Sequence, residues 1–403
     1  SDIQRTPRVS YLSFQRKCCS CPTLQSSGHF LMKVGLNVTC LNDRPSGAKQ
    51  RFLGIYGPLF NLLPDVEFVI YEPTDCRVAD WFPTQPNLSK RETSIPSLGR
   101  AGKLLKGRNY WKGNLASENF DAFEAMHIPL TRPSRGKTLL TIHDIRGVTK
   151  ENNFAKRKLF SSVLRDALKR ADHVVTVSKT IRSEILNFYP NTPVSVIYNG
   201  VDTSAMQSVT QHGVNTLRTK YDLPREYILA VGHFEKRKNY AKLIEAIALL
   251  KQRKFDCSLV IIGNDSGELV SLKKLISNMN LNDNICLLTD LSNDEVRSAY
   301  SNCALLAFPS SYEGFGIPIL EAMVAKKPMV LSELKIFREI TQNQSVYFDE
   351  GNVESMANAI EIGLCSQQVR DNMIEYGVHR VHDFEFGNLA KRLCKLYRTH
   401  LLR

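Results

Sequence analysis

The stretch "SSYEGFGIPILEAMVAKKP", residues 310–328, sets two glutamates, Glu313 and Glu321, around a Gly-Phe-Gly turn and a proline. It follows an apolar run, "CALLAFP", which ends at Pro309 and has the length and character of a buried strand. Pro318 suits the first turn of a helix, where its missing N–H would be unpaired in any case. The spacing therefore predicts a helix from about Ile317 through "PILEAMVAKK". Gly314 and Gly316 let the turn come close to a ligand, and free N–H groups at the helix start favour an anion such as phosphate. Glu321 falls near the fourth helical position, with its side chain leaning back towards that start. A carboxylate beside a phosphate is repelled unless hydroxyls are present for it to accept, which points to a ribose or a sugar. Two solvated glutamates at an ordinary helix entry would give the same residues.

Outward from this stretch, short β-branched runs alternate with longer amphipathic segments from about residue 33, the pattern of α/β units around parallel sheets. "KVGLNVT", "VEFVIY", "TLLTI", "HVVTV" and "VSVIY" form one set of strands; "YILAVG", "CSLVIIG", "NICLLT", "CALLAFP", "PMVLS" and "SVYF" form a second. Residues 202–226 between them are polar and turn-rich, which places a boundary near 205–225. Neither half carries G-x-G-x-x-G or G-x-x-x-x-G-K-[ST], so hydride transfer and P-loop hydrolysis lose their usual fingerprints. Two doubly wound domains leave a cleft between them, and ligands gather at the carboxyl ends of the strands. After "YILAVG" comes a loop with Lys236, Arg237 and Lys238, then a helix expected to begin at Asn239 as its cap. Three successive cations make either a solvated turn or, at a cleft, a counter-charge for a leaving diphosphate.

Composition bounds the rest. A chain of 403 residues with 43% apolar and 23% charged residues is expected to fold as two soluble domains. No run reaches the roughly 18 apolar residues of a spanning helix, and no signal peptide opens the chain. Ser1 in place of Met suits a trimmed chain or a piece of a longer one. Ten scattered cysteines suit free thiols in a reducing compartment. Cys18, Cys19 and Cys21 cluster near His29 without zinc-ligand spacing, so residues 1–32 are taken as a leader rather than a metal knuckle. The net charge of +13 resides in residues 1–200, with 29 Lys and Arg against 16 Asp and Glu. Such a half suits an anionic partner or simply solubility. Nucleic acid is not expected, because no stacking cluster or known module accompanies the charge. Residues 100–112, "RAGKLLKGRNYWK", put five cations beside Leu104, Leu105, Tyr110 and Trp111, which suits an anionic membrane surface or a flexible basic loop.

The order G-x-x-x-x-R-K-N after one strand and E-G-F-G-x-P-x-x-E after another resembles the family 4 glycosyltransferases, retaining enzymes of GT-B fold. "TLLTIHDIRG", "ADHVVTVSKTIRSEI", "VSVIYNGVD" and the C-terminal "VRDNMIEYGVHRVHDFEFGNLAKRLCKLYRTHLL" resemble further signatures of that family in order. The resemblance implies an N-terminal acceptor-side Rossmann-like domain over 33–205 and a C-terminal nucleotide-sugar-binding one over 206–382. It also implies a last helix, 383–403, that packs back on the first domain. Lys238 and Arg237 would hold the donor diphosphate, Glu313 the donor-sugar hydroxyls, Glu321 the ribose, and His143 would reach the sugar from the N-terminal domain. Backbone of Gly314, Phe315, Gly316 and Ile317 would approach sugar and phosphate, Leu291 the base, and His233, Gly263 and Gly47 would complete the donor-binding set. Two departures stand out: His233 follows Gly232 where many members carry Arg, and "PSGAKQ" keeps only Gly47 of a glycine-rich first loop. The implied activity is transfer of a hexose from a nucleotide sugar, GDP-mannose favoured, to a glycan or lipid-linked glycan in surface-polysaccharide synthesis. Rhamnosyl or glucosyl transfer, or a non-catalytic donor-binding scaffold, are the alternatives. No cofactor or metal is expected, since Lys and Arg replace a divalent ion, and the expected location is cytoplasmic with peripheral attachment to the inner membrane face.

Overall fold

The computed structural model of the protein describes residues 30–115 and 118–402. The cysteine cluster at 18–21 and His29 lie outside the described residues. Strands β1 (Met32–Asn37), β2 (Val66–Glu72), β3 (Leu88–Glu92), β4 (Ala122–Ala125), β5 (Lys137–Ile142), β6 (His173–Thr176) and β7 (Val194–Val196) make one parallel sheet in the order β3-β2-β1-β4-β5-β6-β7. Strands β8 (Ile228–Val231), β9 (Leu259–Ile262), β10 (Ile285–Leu288), β11 (Leu305–Phe308), β12 (Met329–Ser332) and β13 (Val346–Phe348) make the other, in the order β10-β9-β8-β11-β12-β13. Both sheets are covered by helices, so their central strands are buried on two faces and read as unbroken apolar runs such as "LVII" at 259–262. In each, the order reverses beside the first strand, between β1 and β4 and between β8 and β11. Crevices at the carboxyl ends of such reversals are where open α/β sheets take ligands.

Two strands escape the apolar pattern. β3, "LSKRE", is an edge strand whose last three residues face solvent, and β4, "AFEA", buries a glutamate, Glu124. Residues 202–226 are not all turn. They contain the helix Gln211–Tyr221, capped by Thr210, whose hydroxyl accepts from Gly213 N at 3.1 Å. Its buried Val214 and Leu217 belong to an element that packs on the helix Asn293–Asn302 of the second sheet.

Asn239 does not cap its helix, Tyr240–Gln252, through its side chain. It adopts a left-handed conformation, φ 57°, and its amide donates instead to Glu350 O at 2.8 Å. The basic stretch 100–112 is helical, within Arg100–Asn114. Trp111 turns its ring onto Tyr71 and Phe123, with centroids 5.2 and 5.9 Å away. Tyr110 stacks edge-on against Trp111, and both rings are partly buried against the first domain; the side chains of Leu104 and Leu105 lie outside the described residues.

The chain leaves the first sheet through Val201, whose N–H donates to Phe384 O at 3.0 Å where the chain returns. The helix Phe386–Leu396 then lies along the helix Gly47–Leu62, and its Leu389, Ala390 and Leu393 join the core of the first sheet. Among the described residues no helix is long and apolar enough to cross a membrane, and no group of three His, Cys, Asp or Glu side chains is placed to hold a metal ion.

Candidate active site

A cleft of about 830 Å³ separates the carboxyl ends of the two sheets. All thirteen residues singled out from the sequence line it: Gly47, His143, His233, Arg237, Lys238, Gly263, Leu291, Glu313, Gly314, Phe315, Gly316, Ile317 and Glu321. They converge because each follows a strand: Gly47 β1, His143 β5, His233 β8, Gly263 β9, Leu291 β10 and Glu313 β11.

Glu313 is the electrostatic centre. Its Oε1 accepts from Arg237 Nη1 at 2.5 Å, Lys238 Nζ at 2.8 Å and Ser310 Oγ at 2.8 Å. Oε2 accepts no hydrogen bond from another side chain or backbone group among the described residues. Burial pushes the carboxyl up, but the adjacent Lys238 and Arg237 charges outweigh it and hold it below the usual range. Lys238 is only 6% exposed, and its ammonium also sits 4.9 Å from the centre of the Phe308 ring. Room for it comes from Gly232, at φ 146°, where a Cβ would stand 2.9 Å from Lys238 Nζ. Arg237 is shared with Glu235, at 2.6 Å, and burial of its guanidinium is outweighed by Glu313 and Glu235, which raise its affinity for the proton. Two cations against Glu313 and one more carboxylate, Glu235, leave little unpaired positive charge at this point of the cleft. Any anion entering beside Arg237 and Lys238 therefore shares these cations with Glu313.

The helix Ile317–Val324 carries proline in its first turn and has no side-chain cap at Gly316; Pro318 has no N–H and Ile319 N donates to Gly316 O at 3.0 Å, so the Ile317 N–H is the first-turn donor available to an anion. Phe315 contributes backbone only, because its ring is buried near Tyr198 and Phe384, with centroids 5.9 Å from each. Gly314 lets the two halves touch: a Cβ there would lie 2.3 Å from His143 O. Its carbonyl accepts from Ser178 Oγ at 3.1 Å across the cleft. Glu321 Oε2 accepts from Tyr300 OH at 2.8 Å. Burial raises its carboxyl above the usual range despite Tyr300 and the Gln50 amide, which reaches over from the first sheet's side. His143 is held neutral: burial, then the nearby Arg51 charge, pushes its imidazole down to about 3.

Sequence reasoning did not single out Ser310, Tyr300, Gln50 or Arg297, although the last three line the same cleft. Ser310 stands three residues before Glu313, and that short spacing was the one available signal. Tyr300 and Gln50 are 21 and 271 positions from Glu321, and no local pattern marks them. Asp290 keeps a left-handed backbone, φ 59°, pinned by its N–H to Asn264 Oδ1 at 3.0 Å, which shapes the loop before Leu291.

Two parallel Rossmann-like sheets around a cleft with this basic loop and this glutamate turn define the GT-B class of glycosyltransferases. Residues 75–205 match the family model described as Glycosyltransferase Family 4, and residues 216–380 match Glycosyl transferases group 1; the chain is a family 4-type glycosyltransferase of GT-B fold. Among curated proteins it is 29% identical over 236 residues to the O-antigen chain mannosyltransferase RfbU of Salmonella typhimurium, covering 58% of this chain and 62% of that protein. It is 25% identical over 268 residues to O-antigen chain mannosyltransferase B of Escherichia coli, covering 65% and 70%. A third relative, the serotype-specific mannosyltransferase WbdA of E. coli, is 24% identical and only 32% of it is covered. The match thus spans under two thirds of RfbU and about a third of WbdA. Solved structures agree on the fold. WaaG, a glycosyltransferase involved in lipopolysaccharide biosynthesis, superposes with a TM-score of 0.71 at 14% identity, over 90% of this chain and 99% of that one. Anabaena HepE in complex with UDP and glucose gives 0.70 at 18%, over 91% and 100%.

Proposed function

We propose that this protein is a retaining hexosyltransferase that moves mannose from GDP-mannose to a glycan or lipid-linked glycan acceptor in cell-surface polysaccharide synthesis. The observation that carries the proposal is the Glu313 cluster. One carboxylate oxygen is saturated by Arg237, Lys238 and Ser310 while the other is open, beside an uncapped helix start. That arrangement offers cations and N–H groups for a diphosphate and a hydroxyl acceptor for the sugar attached to it. The names of the Salmonella and E. coli relatives favour mannose.

In the proposed reaction the bond from the sugar's anomeric carbon to the diphosphate oxygen breaks, and one to the acceptor oxygen forms on the same face. The acceptor's proton passes to the leaving phosphate oxygen. Lys238, Arg237 and the helix start offset the charge that develops there, the kind of preorganised stabilisation that dominates many enzymes. Glu313 Oε2 and the neutral imidazole of His143 orient the sugar, and Glu321 accepts from the ribose hydroxyls. No protein carboxylate acts as nucleophile, and the protein's cations occupy the place of a divalent ion.

A thermal-shift panel of nucleotide sugars, followed by transfer assays, tests the proposal. GDP-mannose at 100 times its dissociation constant should stabilise by about 2.7 kcal/mol. Lys238→Ala and Glu313→Gln should each lower kcat by about 10²-fold or more, as loss of a single charge-stabilising donor does. Stabilisation by a rhamnose or glucose donor instead would reassign the sugar. Donor binding without transfer to any glycan would make the protein a donor-binding scaffold, and near-normal turnover of both variants would remove the mechanism.

A further inference from the structure

Glu235 stands two residues before Arg237 in the loop after β8, and its carboxylate is shared between the two halves of the molecule. Its Oε1 lies 2.6 Å from Arg237 Nη2. Its Oε2 lies 3.8 Å from Nη1 of Arg146, the first residue of the short helix Arg146–Thr149 on the side of the first sheet. Both ends of this bridge are held by their backbones. Glu235 N donates to His233 O at 2.8 Å, and Glu235 O accepts from Lys238 N at 2.9 Å. Arg146 N donates to Asp144 Oδ1 at 3.1 Å, and the next residue, Gly147, packs so closely on the Phe160 ring that a Cβ would stand 2.9 Å from it. Asp144 and Arg237 line the cleft, so the bridge runs along its edge. Arg237 is already committed to two carboxylates, Glu235 and Glu313.

We infer that Arg146 is a positioning residue of the donor site, which takes over Glu235 when a diphosphate draws Arg237 away. The inference rests on the reading that Arg237 and Lys238 hold the donor diphosphate. An entering diphosphate competes with Glu235 for one guanidinium, part of which Glu313 retains. A carboxylate that loses this contest is left as an uncompensated negative charge close to another, at a place only 24% exposed where water screens poorly. Arg146 is the counter-charge at hand, on the other oxygen. A pair at 3.8 Å with a half-exposed arginine contributes little by itself. It strengthens when Oε1 loses Arg237, because the carboxylate's charge then falls to Arg146. Asp144 does not prevent this: it meets Arg146 at Nε, 3.8 Å away, whereas Glu235 meets Nη1, so one guanidinium serves both. The first half of the chain thereby completes a diphosphate site whose bonding groups belong to the second.

Calorimetric titration of the full chain with GDP, UDP and inorganic pyrophosphate tests this, at about 0.3 M salt so that long-range charge effects are screened. Arg146→Gln should weaken the tightest of the three probes about fivefold, the coupling of a partly exposed ion pair. In the Glu235→Gln background, where no carboxylate remains to be compensated, the same substitution should change affinity less than about twofold. Glu235→Gln alone should bind at least as tightly as wild type, since Arg237 is then released without repulsion. Lys150→Gln removes an exposed cation four residues from Arg146 and should bind as wild type. Melting temperatures without ligand check that each variant is folded. A merely structural Arg146 would lower the melting temperature with no loss of affinity that depends on Glu235. The inference is overturned if Arg146→Gln binds as wild type, if its loss is the same in both backgrounds, as direct contact with the diphosphate would give, or if Lys150→Gln matches it. It then falls alone, because the donor reading needs only that a probe binds. If none of the three probes binds wild type, the donor reading falls and takes the inference with it.

Discussion

Glu313 and Glu321 stand eight residues apart in one cleft wall, and their surroundings push the two carboxyls in opposite directions. Burial acts on both. At Glu313 it is beaten by Lys238 and Arg237, whereas at Glu321 only the neutral donors Tyr300 and Gln50, with more distant Arg297 and Lys238, oppose it. Glu313 thus keeps its charge to lower pH than an ordinary glutamate, and Glu321 takes up its proton above the usual glutamate value of about 4.3. In the proposed reaction, where Glu321 accepts from the ribose hydroxyls, protonation removes part of that acceptor capacity. Donor affinity should therefore weaken as pH falls through a window lying above 4.3, and Glu321→Gln should bind more weakly but with no such window. Calorimetric titration of the donor across pH checks this; an affinity that holds constant down to about pH 4.3 would contradict it. His143 adds nothing to this window, because its imidazole is already held neutral down to about pH 3.

Among the elements, the helix Lys179–Phe188 of the first sheet begins against the second. Ser178 caps it, accepting from Ile181 N at 3.0 Å, and Glu339 from the helix Lys335–Thr341 completes the cap. Its carboxylate accepts from Lys179 N at 2.6 Å and from Thr180 N and Oγ1 at 2.8 Å each. The same Ser178 hydroxyl reaches Gly314 O, so the contact between halves is continuous with the glutamate turn. Glu339→Ala leaves helix-start N–H groups without their acceptor and should cost about 1–2 kcal/mol, the usual range for a lost cap. Because the contact joins the two halves, the empty variant should also show a larger radius of gyration by small-angle scattering. Scattering identical to wild type would confine Glu339 to a local capping role.

For the whole molecule, the C-terminal segment returns to the first sheet and closes its polar centre. Glu124, buried in β4, accepts from Tyr56 OH and Thr141 Oγ1, both at 2.6 Å, and from Tyr397 OH. Its burial raises the carboxyl above the usual range even with these donors. His400 stacks on His173 with centroids 4.6 Å apart, and Arg398 pairs with Asp65 at 2.8 Å. Tyr397→Phe keeps the packing and removes one donor from a buried carboxyl, which should cost about 1–3 kcal/mol. A lowered urea midpoint at unchanged slope would show this; an unmoved midpoint would mean that Tyr56 and Thr141 suffice.

Local pattern alone was enough to read the two parallel sheets, since strands buried on both faces must be apolar throughout and the helices between them must be amphipathic. It also marked the cleft-lining loops, because Gly232, Gly314 and Pro318 have uses at strand ends and helix starts that they lack elsewhere. It passed over β3, whose edge position permits polar residues, and β4, whose glutamate is tolerated only because Tyr56, Thr141 and Tyr397 meet it. The same limit applies in the site. Glu313 and Lys238 were legible as residues on loops, but their pairing, like that of Glu321 with Tyr300 and Gln50, joins parts of the chain far apart in sequence. The inward turn of Trp111 was decided in the same way. Neighbouring residues determine the conformation of a segment, while the partners that set a side chain's charge and burial are chosen only when distant segments pack together.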